Sequence, residues 1–222
     1  MLNNNIPSDQ KSVKKNNSYS WRSSLSIPDY KVTFSGLSQR FCVGFVDIVG
    51  STKISHKIEP RDCGLLYEIF LNSMAKILKK FNGSVIKNVG DGLLFYFPKY
   101  SHNNNTQELD SCLECLLCLT ESRNQICEVL QKENLPTLDY RVSVDYGTVI
   151  IMKSNTSSYI DILGTPINMC AKINHLADKN GVIIGDDFFQ IIRVNKKYRY
   201  VSKKGYPMGL NEEYPVYSLH RK

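Results

Sequence analysis

The sequence lacks any run of about 18 apolar residues, so it predicts no membrane-spanning helix. Its first residues also lack a continuous apolar stretch of signal-peptide length. Histidine is scarce, and the four histidines are scattered, so we assign none of them a catalytic role. No internal repeat is visible. From these absences we expect an intracellular, cytoplasmic protein that is not a repeat array.

The seven cysteines are an odd number, which, without a secretion signal, argues against a disulfide framework. Cys112, Cys115 and Cys118 form a C-x-x-C-x-x-C run, a pattern also found in iron–sulfur sites. Here the run lies in a leucine-rich helical pattern without glycine or proline to open a cluster-binding loop. The three-residue spacing places the thiols along one side of a helix. We expect buried core thiols, with a metal site as the minor alternative.

The composition indicates one good-sized domain, since the chain has 222 residues of which 42% are hydrophobic. The net charge of +7 suits an anionic partner, namely a nucleotide, a nucleic acid or a lipid surface. Residues 1–33 are polar and rich in Asn, Ser and Lys, which predicts a flexible tail. The folded domain is expected over residues 34–222.

Hydrophobic periodicity predicts alternating strands and helices. Strands are expected at 41–46, 84–89, 93–97, 140–146, 148–152, 181–184, 198–202 and 214–219. Helices are expected at 51–56, from 59–60 to 82, 108–134, 167–177 and 186–194. In this scheme Gly147 turns the chain between two paired strands. The order predicts an α+β fold, a ferredoxin-like βαββαβ core with a C-terminal α/β extension.

Two aspartates stand where this fold would bring them together. Asp47 ends the first strand, and Asp91 lies in the turn before the third, which is the first strand's neighbour in such a sheet. Both stay ionised only with a cation between them, and two carboxylates with waters and phosphates are typical of Mg²⁺ or Mn²⁺. Gly50, Ser51 and Thr52 then open a helix with free N–H groups that suit a phosphate. The alternative is a strand end, a helix cap and an ordinary turn residue.

Four sequence blocks resemble class III nucleotide cyclases. The run FVDIVGST at 45–52 resembles the first metal motif of that family, and KNVGD at 87–91 resembles the second. RVSVDYG at 141–147 is similar to the strand-and-glycine block that follows. DILGTPIN at 161–168 resembles the block with the base-reading acid and the catalytic asparagine. The blocks occur in the family's order, and the resemblance spans about residues 40–220.

The resemblance implies a role for each matching residue. Asp47 and Asp91, with the backbone carbonyl of Ile48, would bind two ions of Mg²⁺ or Mn²⁺. The turn with Gly50, Ser51 and Thr52 would hold the triphosphate of a nucleoside triphosphate.

The later blocks imply the rest of the site. Lys87 and Asp161 would read the purine edge in a pattern that favours ATP, since Lys donates and Asp accepts. Asn168 would orient the ribose, and Lys203 or Lys204 would bind phosphate. Family members are head-to-tail dimers with shared sites, so the resemblance implies a homodimer with two composite sites.

The chain departs from the family pattern at Lys172, where an arginine four residues after the asparagine is usual. Lysine keeps the charge but loses the planar fork. Pro166 stands where a small polar residue is common. The leading interpretation is an adenylate cyclase. The alternatives are a cyclase of guanine or pyrimidine preference, and a weakly active or inactive cyclase-like module that binds nucleotide. RNA binding is disfavoured because the strands lack an exposed aromatic pair.

Overall fold

The computed structural model describes residues 32–98, 106–154, 160–209 and 212–222. The predicted tail at 1–33 lies almost wholly outside the described residues. Among the described residues, no helix has the length and apolar character needed to cross a membrane.

Eight strands and six α-helices make up the described part of the chain. In chain order they are β1 (Val32–Ile48), α1 (Ser51–Ser55), α2 (Pro60–Lys80), β2 (Ser84–Val89), β3 (Gly92–Phe97), α3 (Thr106–Glu121), α4 (Arg123–Lys132), β4 (Tyr140–Ser154), β5 (Ile160–Leu163), α5 (Thr165–Ile173), β6 (Val182–Gly185), α6 (Asp186–Ile192), β7 (Tyr198–Gly209) and β8 (Glu212–Arg221). A 3₁₀ turn at Asn174–Leu176 follows α5.

One sheet contains all eight strands, in the order β2-β3-β1-β4-β6-β8-β7, with β5 paired to β4. The pairings are antiparallel except that of β4 with β6. The α+β fold predicted from the sequence is confirmed, and β1 lies beside β3 as that fold requires.

The main core forms between the sheet and the long helices. Helix α2 begins at Pro60, where proline costs no hydrogen bond, and buries one stripe of its surface. Helix α3 contributes Cys112 and Cys115, both fully buried, as expected for core thiols, while Cys118 is half-buried. The stripe of α2 consists of Leu66, Phe70, Met74 and Leu78.

The single helix predicted over 108–134 is wrong, since α3 and α4 are separate and meet at Ser122. The Ser122 hydroxyl donates to the carbonyl of Cys118 at 2.7 Å. A serine that bonds back to the preceding turn competes with the helical ladder and favours a bend.

The hairpin predicted around Gly147 is also wrong, because β4 runs unbroken from Tyr140 to Ser154. Strand β1 is long enough to pair with all of it, apart from a bulge. Gly147 serves close packing instead, since a Cβ there would lie 3.3 Å from the ring of Pro166 in α5. Strands β7 and β8 are longer than the predicted strands at 198–202 and 214–219, and they pair as an antiparallel ribbon.

A second, smaller core brings the far end of β4 and β5 against β1–β3. It contains Phe41, Val43, Leu94, Val149 and Ile162. This packing brings β5 close to β2. The two strands carry the predicted site residues Asp161 and Lys87, respectively.

Candidate active site

Asp47 lies near the end of β1, opposite Arg141 on β4. Burial and the nearby carboxylate of Asp91 raise the pKa of Asp47 to about 6, although the Arg141 guanidinium lowers it. The fold thus brings the two aspartates together, and their mutual repulsion makes the ionised pair costly without a cation.

Asp91 sits in the β2–β3 turn, followed directly by Gly92. A Cβ at Gly92 would lie 2.5 Å from the carbonyl oxygen of Val46 and 3.1 Å from Asp47 Oδ1, so glycine lets β3 approach the end of β1. Within the described residues, the buried oxygen Asp91 Oδ2 has no hydrogen-bond partner. A buried carboxylate oxygen without a partner is costly, and a bound ligand would satisfy it.

Arg141 is a site candidate that sequence reasoning missed. The sequence pattern indicates only that Arg141 belongs to a strand, whereas the register sets it directly across from Asp47. Its Nη1 donates to the carbonyl of His175 at 3.5 Å, while its buried Nε has no partner among the described residues. A guanidinium that has an N–H donor without a partner and lies beside two carboxylates can bind a phosphate oxygen. The cross-strand pairing that reveals it is not readable from the sequence.

The turn after β1 adopts the geometry of a helix start. Ile48 is buried, and the Val49 N–H donates to the carbonyl of Asp139 at 2.8 Å, which fixes the chain as it leaves the sheet. Gly50 has φ of +69°, a conformation that favours glycine, and no side chain caps the helix that follows. Ser51 is half-buried and Thr52 is exposed.

Lys87 on β2 and Asp161 on β5 form an ion pair, with Nζ and Oδ2 2.5 Å apart. The other oxygen of Asp161 accepts from the backbone N–H of Ile162 at 2.8 Å, which orients the carboxylate. A cavity of about 590 Å³ lies beside the pair, with Val85, Met152 and other apolar side chains in its wall. Its size and mixed lining suit a nucleobase.

Helix α5 carries Asn168 and Lys172 one turn apart, and both side chains are exposed. Pro166 is buried near the start of the helix, which begins at Thr165 without a side-chain cap. The Lys172 ammonium lies over the ring of Tyr206 on β7, with Nζ 5.7 Å from the ring centroid.

The two C-terminal lysines differ in their surroundings. Lys203 Nζ pairs with Asp178 at 2.7 Å, whereas Lys204 is exposed and has no ion pair with any described residue. The ribbon changes register between Lys203 and Tyr206. The predicted residues therefore form separate groups: the aspartate pair, the Lys87–Asp161 pair, α5 and β7.

The aspartate pair fits a divalent cation. In the described ranges no group of three or more His, Cys, Asp or Glu side chains gathers, so the protein ligands would be Asp47, Asp91 and a backbone carbonyl such as that of Ile48. One or two carboxylates completed by phosphates and waters is the usual arrangement for Mg²⁺. The unpartnered Asp91 oxygen and the raised pKa of Asp47 both favour this assignment.

Comparison with known proteins shows which proteins this chain is similar to. The family model described as adenylate and guanylate cyclase catalytic domain matches residues 35–221. An adenylate cyclase of Streptomyces coelicolor is 26% identical over 175 residues, which are 77% of this chain and 40% of the relative. A cytidylate cyclase of Staphylococcus aureus is 25% identical over 166 residues, or 72% of this chain and 39% of the relative. The chain thus spans about two fifths of the length of these relatives.

Solved structures share the fold. The adenylyl cyclase CyaB from P. aeruginosa superposes with a TM-score of 0.72 at 19% identity, over 84% of this chain and 97% of that one. The guanylyl cyclase Cya2 gives a TM-score of 0.73 at 14% identity, over 83% of this chain and 93% of that one.

Proposed function

The chain belongs to the family of adenylate and guanylate cyclase catalytic domains, and from this premise we propose that it converts ATP to 3′,5′-cyclic AMP and pyrophosphate. The observation that carries the proposal is the pair of Asp47 and Asp91, which the fold builds together at a site with an unsatisfied carboxylate oxygen. The catalytic domain is taken to span residues 34–222, and the cytoplasmic location stays a prediction.

Asp47, Asp91 and the Ile48 carbonyl are the groups that would hold two ions of Mg²⁺ or Mn²⁺. Such ions supply charge neutralisation on the triphosphate and a lower pKa for the ribose 3′ hydroxyl. The 3′ oxygen attacks the α-phosphorus in line and gives up its proton to solvent, while the bond from the α-phosphorus to the oxygen that bridges to the β-phosphate breaks and pyrophosphate leaves. No protein nucleophile is needed, so the side chains act by positioning and by electrostatic stabilisation.

The negative charge of the triphosphate also needs partners besides the cations. Backbone N–H groups and cationic side chains supply them. The N–H groups of Gly50, Ser51 and Thr52 bind the triphosphate, and Arg141 contributes a guanidinium beside it. Lys203 or Lys204 adds a further cation for phosphate.

Two residues of α5 act on the reacting atoms. Asn168 holds the ribose so that its 3′ oxygen faces the α-phosphorus. Lys172 places its ammonium where negative charge develops in the transition state.

The preference for adenine rests on Lys87 and Asp161. The lysine can donate to ring N1 of adenine, and the aspartate can accept from the amino group. Guanine presents a carbonyl and a ring N–H at the same edge, which reverses both roles. Their ion pair at 2.5 Å keeps donor and acceptor side by side.

Cytosine is the second candidate base. It also presents an exocyclic amino group beside a ring nitrogen acceptor, so the hydrogen-bond pattern that suits adenine suits cytosine as well. The similarity to a relative named cytidylate cyclase favours this candidate. Ring size, rather than hydrogen bonding, must then decide between the two.

The test is an assay of the purified chain with Mn²⁺ and each of ATP, GTP, CTP and UTP, with products identified by mass spectrometry. We expect cyclic AMP from ATP, lost in Asp47→Ala. Cyclic CMP would support the second candidate. Nucleotide binding without any product would overturn the proposal and support a regulatory module.

We also propose a homodimer with two composite sites. Large apolar side chains are exposed on β2, β4 and β5 around the Lys87–Asp161 pair, as expected for a surface that becomes covered. They are Val85, Val89, Ile150, Ile160 and Leu163.

Mixing two inactive variants tests the shared site. Asp47→Asn damages one half and Asn168→Ala the other, so each mixed dimer contains one intact site. Statistical mixing should restore about a quarter of the wild-type activity, because half of the dimers are mixed and each has one of two sites. If the mixture stays inactive although sedimentation shows mixed dimers, the composite site is wrong.

A further inference from the structure

Lys172 differs from an arginine in how it can be held. A guanidinium is planar and is fixed by paired hydrogen bonds, whereas an ammonium is a point charge on a flexible four-carbon stem. An exposed lysine that must meet one developing charge therefore needs an outside constraint. The structure provides one candidate, since the Lys172 ammonium lies 5.7 Å from the centroid of the Tyr206 ring.

Tyr206 is itself well supported. Its ring packs on a small core between α5 and the β6–β8 part of the sheet, which includes Met169, Ile173 and Val216. The ring of His175 meets it edge-on, with centroids 6.2 Å apart and planes at 76°. A ring fixed in this way is a stable platform for a side chain from the adjacent helix.

An aromatic platform suits this task better than a carboxylate would. A carboxylate would neutralise the ammonium and occupy its N–H groups. A ring face attracts the cation through its quadrupole and leaves the charge and hydrogen-bond donors available for a phosphate oxygen. Among the described residues, Lys172 has no ion pair that would compete.

We propose that Tyr206 is a positioning residue that holds the Lys172 ammonium on the face of α5 that also presents Asn168. The inference rests on the proposed function, because Lys172 acts only if a phosphate reacts there. Tyr206 comes from the β7–β8 ribbon, where the register shift after Lys203 sets its place along the strand.

A double-mutant cycle tests the role, with kcat and KM measured for wild type, Tyr206→Leu, Lys172→Met and the double variant. Tyr206→Leu should lower kcat about two- to fivefold, the size of an exposed cation–π contact, with KM nearly unchanged. In the Lys172→Met background the same change should have no further effect. Tyr206→Phe keeps the ring face and should keep the wild-type kcat.

Three outcomes would overturn the inference: an equal loss in both backgrounds, a loss in Tyr206→Phe as large as in Tyr206→Leu, or a gain in kcat on removing the ring. If Tyr206→Leu does not fold, 3,4,5-trifluorophenylalanine at 206 replaces it, because fluorination weakens the quadrupole while nearly preserving shape. The trifluorophenylalanine variant should then have a lower kcat than Tyr206→Phe. Equal kcat values for these two variants would overturn the positioning role of Tyr206. A wild-type chain without turnover refutes the proposed function, whereas an active chain with an additive cycle refutes only this inference.

Discussion

Two carboxyl sites, the buried Asp145 and the half-buried pair of Asp47 and Asp91, are built in opposite ways. Asp145 on β4 is 1% exposed, and the protein satisfies both of its oxygens. Oδ1 accepts from the backbone N–H groups of Tyr146 and Phe188 at 2.9 and 3.2 Å, and Oδ2 accepts from the Tyr214 hydroxyl at 2.8 Å. Asp47 and Asp91, by contrast, face each other and leave a buried oxygen without a partner among the described residues.

Under the proposed function, this difference separates a structural carboxyl from one that binds a ligand. Burial raises the pKa of Asp145 to about 7 and that of Asp47 to about 6, so both pay for burial. For Asp145, hydrogen bonds within the protein offset part of that cost. The Asp47–Asp91 pair would recover it from a cation and a triphosphate.

The largest effect is expected from Asp47→Asn, which should lower activity without lowering stability. We expect cyclase activity to fall at least about 100-fold, because a main ligand for charge stabilisation is lost. Stability in a chelator should stay equal or rise, since the amide removes the repulsion with Asp91. Product assays and thermal unfolding in EDTA measure the two effects. A variant that is as destabilised as it is inactive would show that Asp47 is structural.

Asp145→Ala should produce the opposite result, a loss of stability. At about pH 5, where the folded state still holds the proton on this carboxyl, the substitution removes the acceptor of three hydrogen bonds in a closed site, and we expect the free energy of unfolding to drop by about 2–4 kcal/mol. Urea unfolding checks this. Asp178→Ala is the matched control, because its carboxylate is exposed and should cost less than about 1 kcal/mol. Equal losses in the two variants would contradict the structural role.

The free energy of unfolding should depend on pH because Asp145 titrates. Its folded pKa of about 7 lies above the usual value of 3.8 for an aspartate, so between about pH 4 and 7 the folded state holds a proton that the unfolded state has released. Stability attributable to Asp145 must then fall as the pH rises through this window, by up to about 4 kcal/mol.

Asp145→Asn keeps the shape of the side chain and removes its titration. The difference between wild type and this variant, followed by urea unfolding from pH 4 to 8, isolates the Asp145 contribution from that of Asp47. A constant difference across the window would show that Asp145 titrates normally.

The smallest expected effect is that of Lys172→Arg. An arginine has the fork that the family pattern favours and can also stack on Tyr206, so kcat should be unchanged or rise up to about tenfold. Steady-state kinetics with ATP measure it, with Lys172→Met as the reference that lacks the charge. A collapse in Lys172→Arg would mean that Lys172 has a role that its charge does not explain.

Local patterns predicted much of this molecule. The fold class follows from element order, and the meeting of Asp47 with Asp91 follows from the neighbouring β1 and β3 of that fold. What failed depends on distant contacts. The sequence predicts a turn at Gly147 because glycine often marks one, but this glycine makes room for Pro166. Arg141 was missed because strand register is set by the whole of β1.

The helix break at Ser122 was missed for a different reason. A serine within a helical pattern is common, and its back-bond to Cys118 leaves no signal in the periodicity. The roles of Lys203 and Lys204 also stay predictions, since the sequence does not fix the register of the ribbon that carries them.

The most direct measurement is Mn²⁺ binding followed by electron paramagnetic resonance in the presence of 3′-deoxy-ATP, which lacks the reacting hydroxyl. The wild-type chain should bind Mn²⁺ beyond the amount that the nucleotide binds without protein. Asp145→Asn should keep this additional binding, whereas Asp47→Asn and Asp91→Asn should each lose it. Undiminished Mn²⁺ binding by both Asp47→Asn and Asp91→Asn, or none by the folded wild type, would contradict the account.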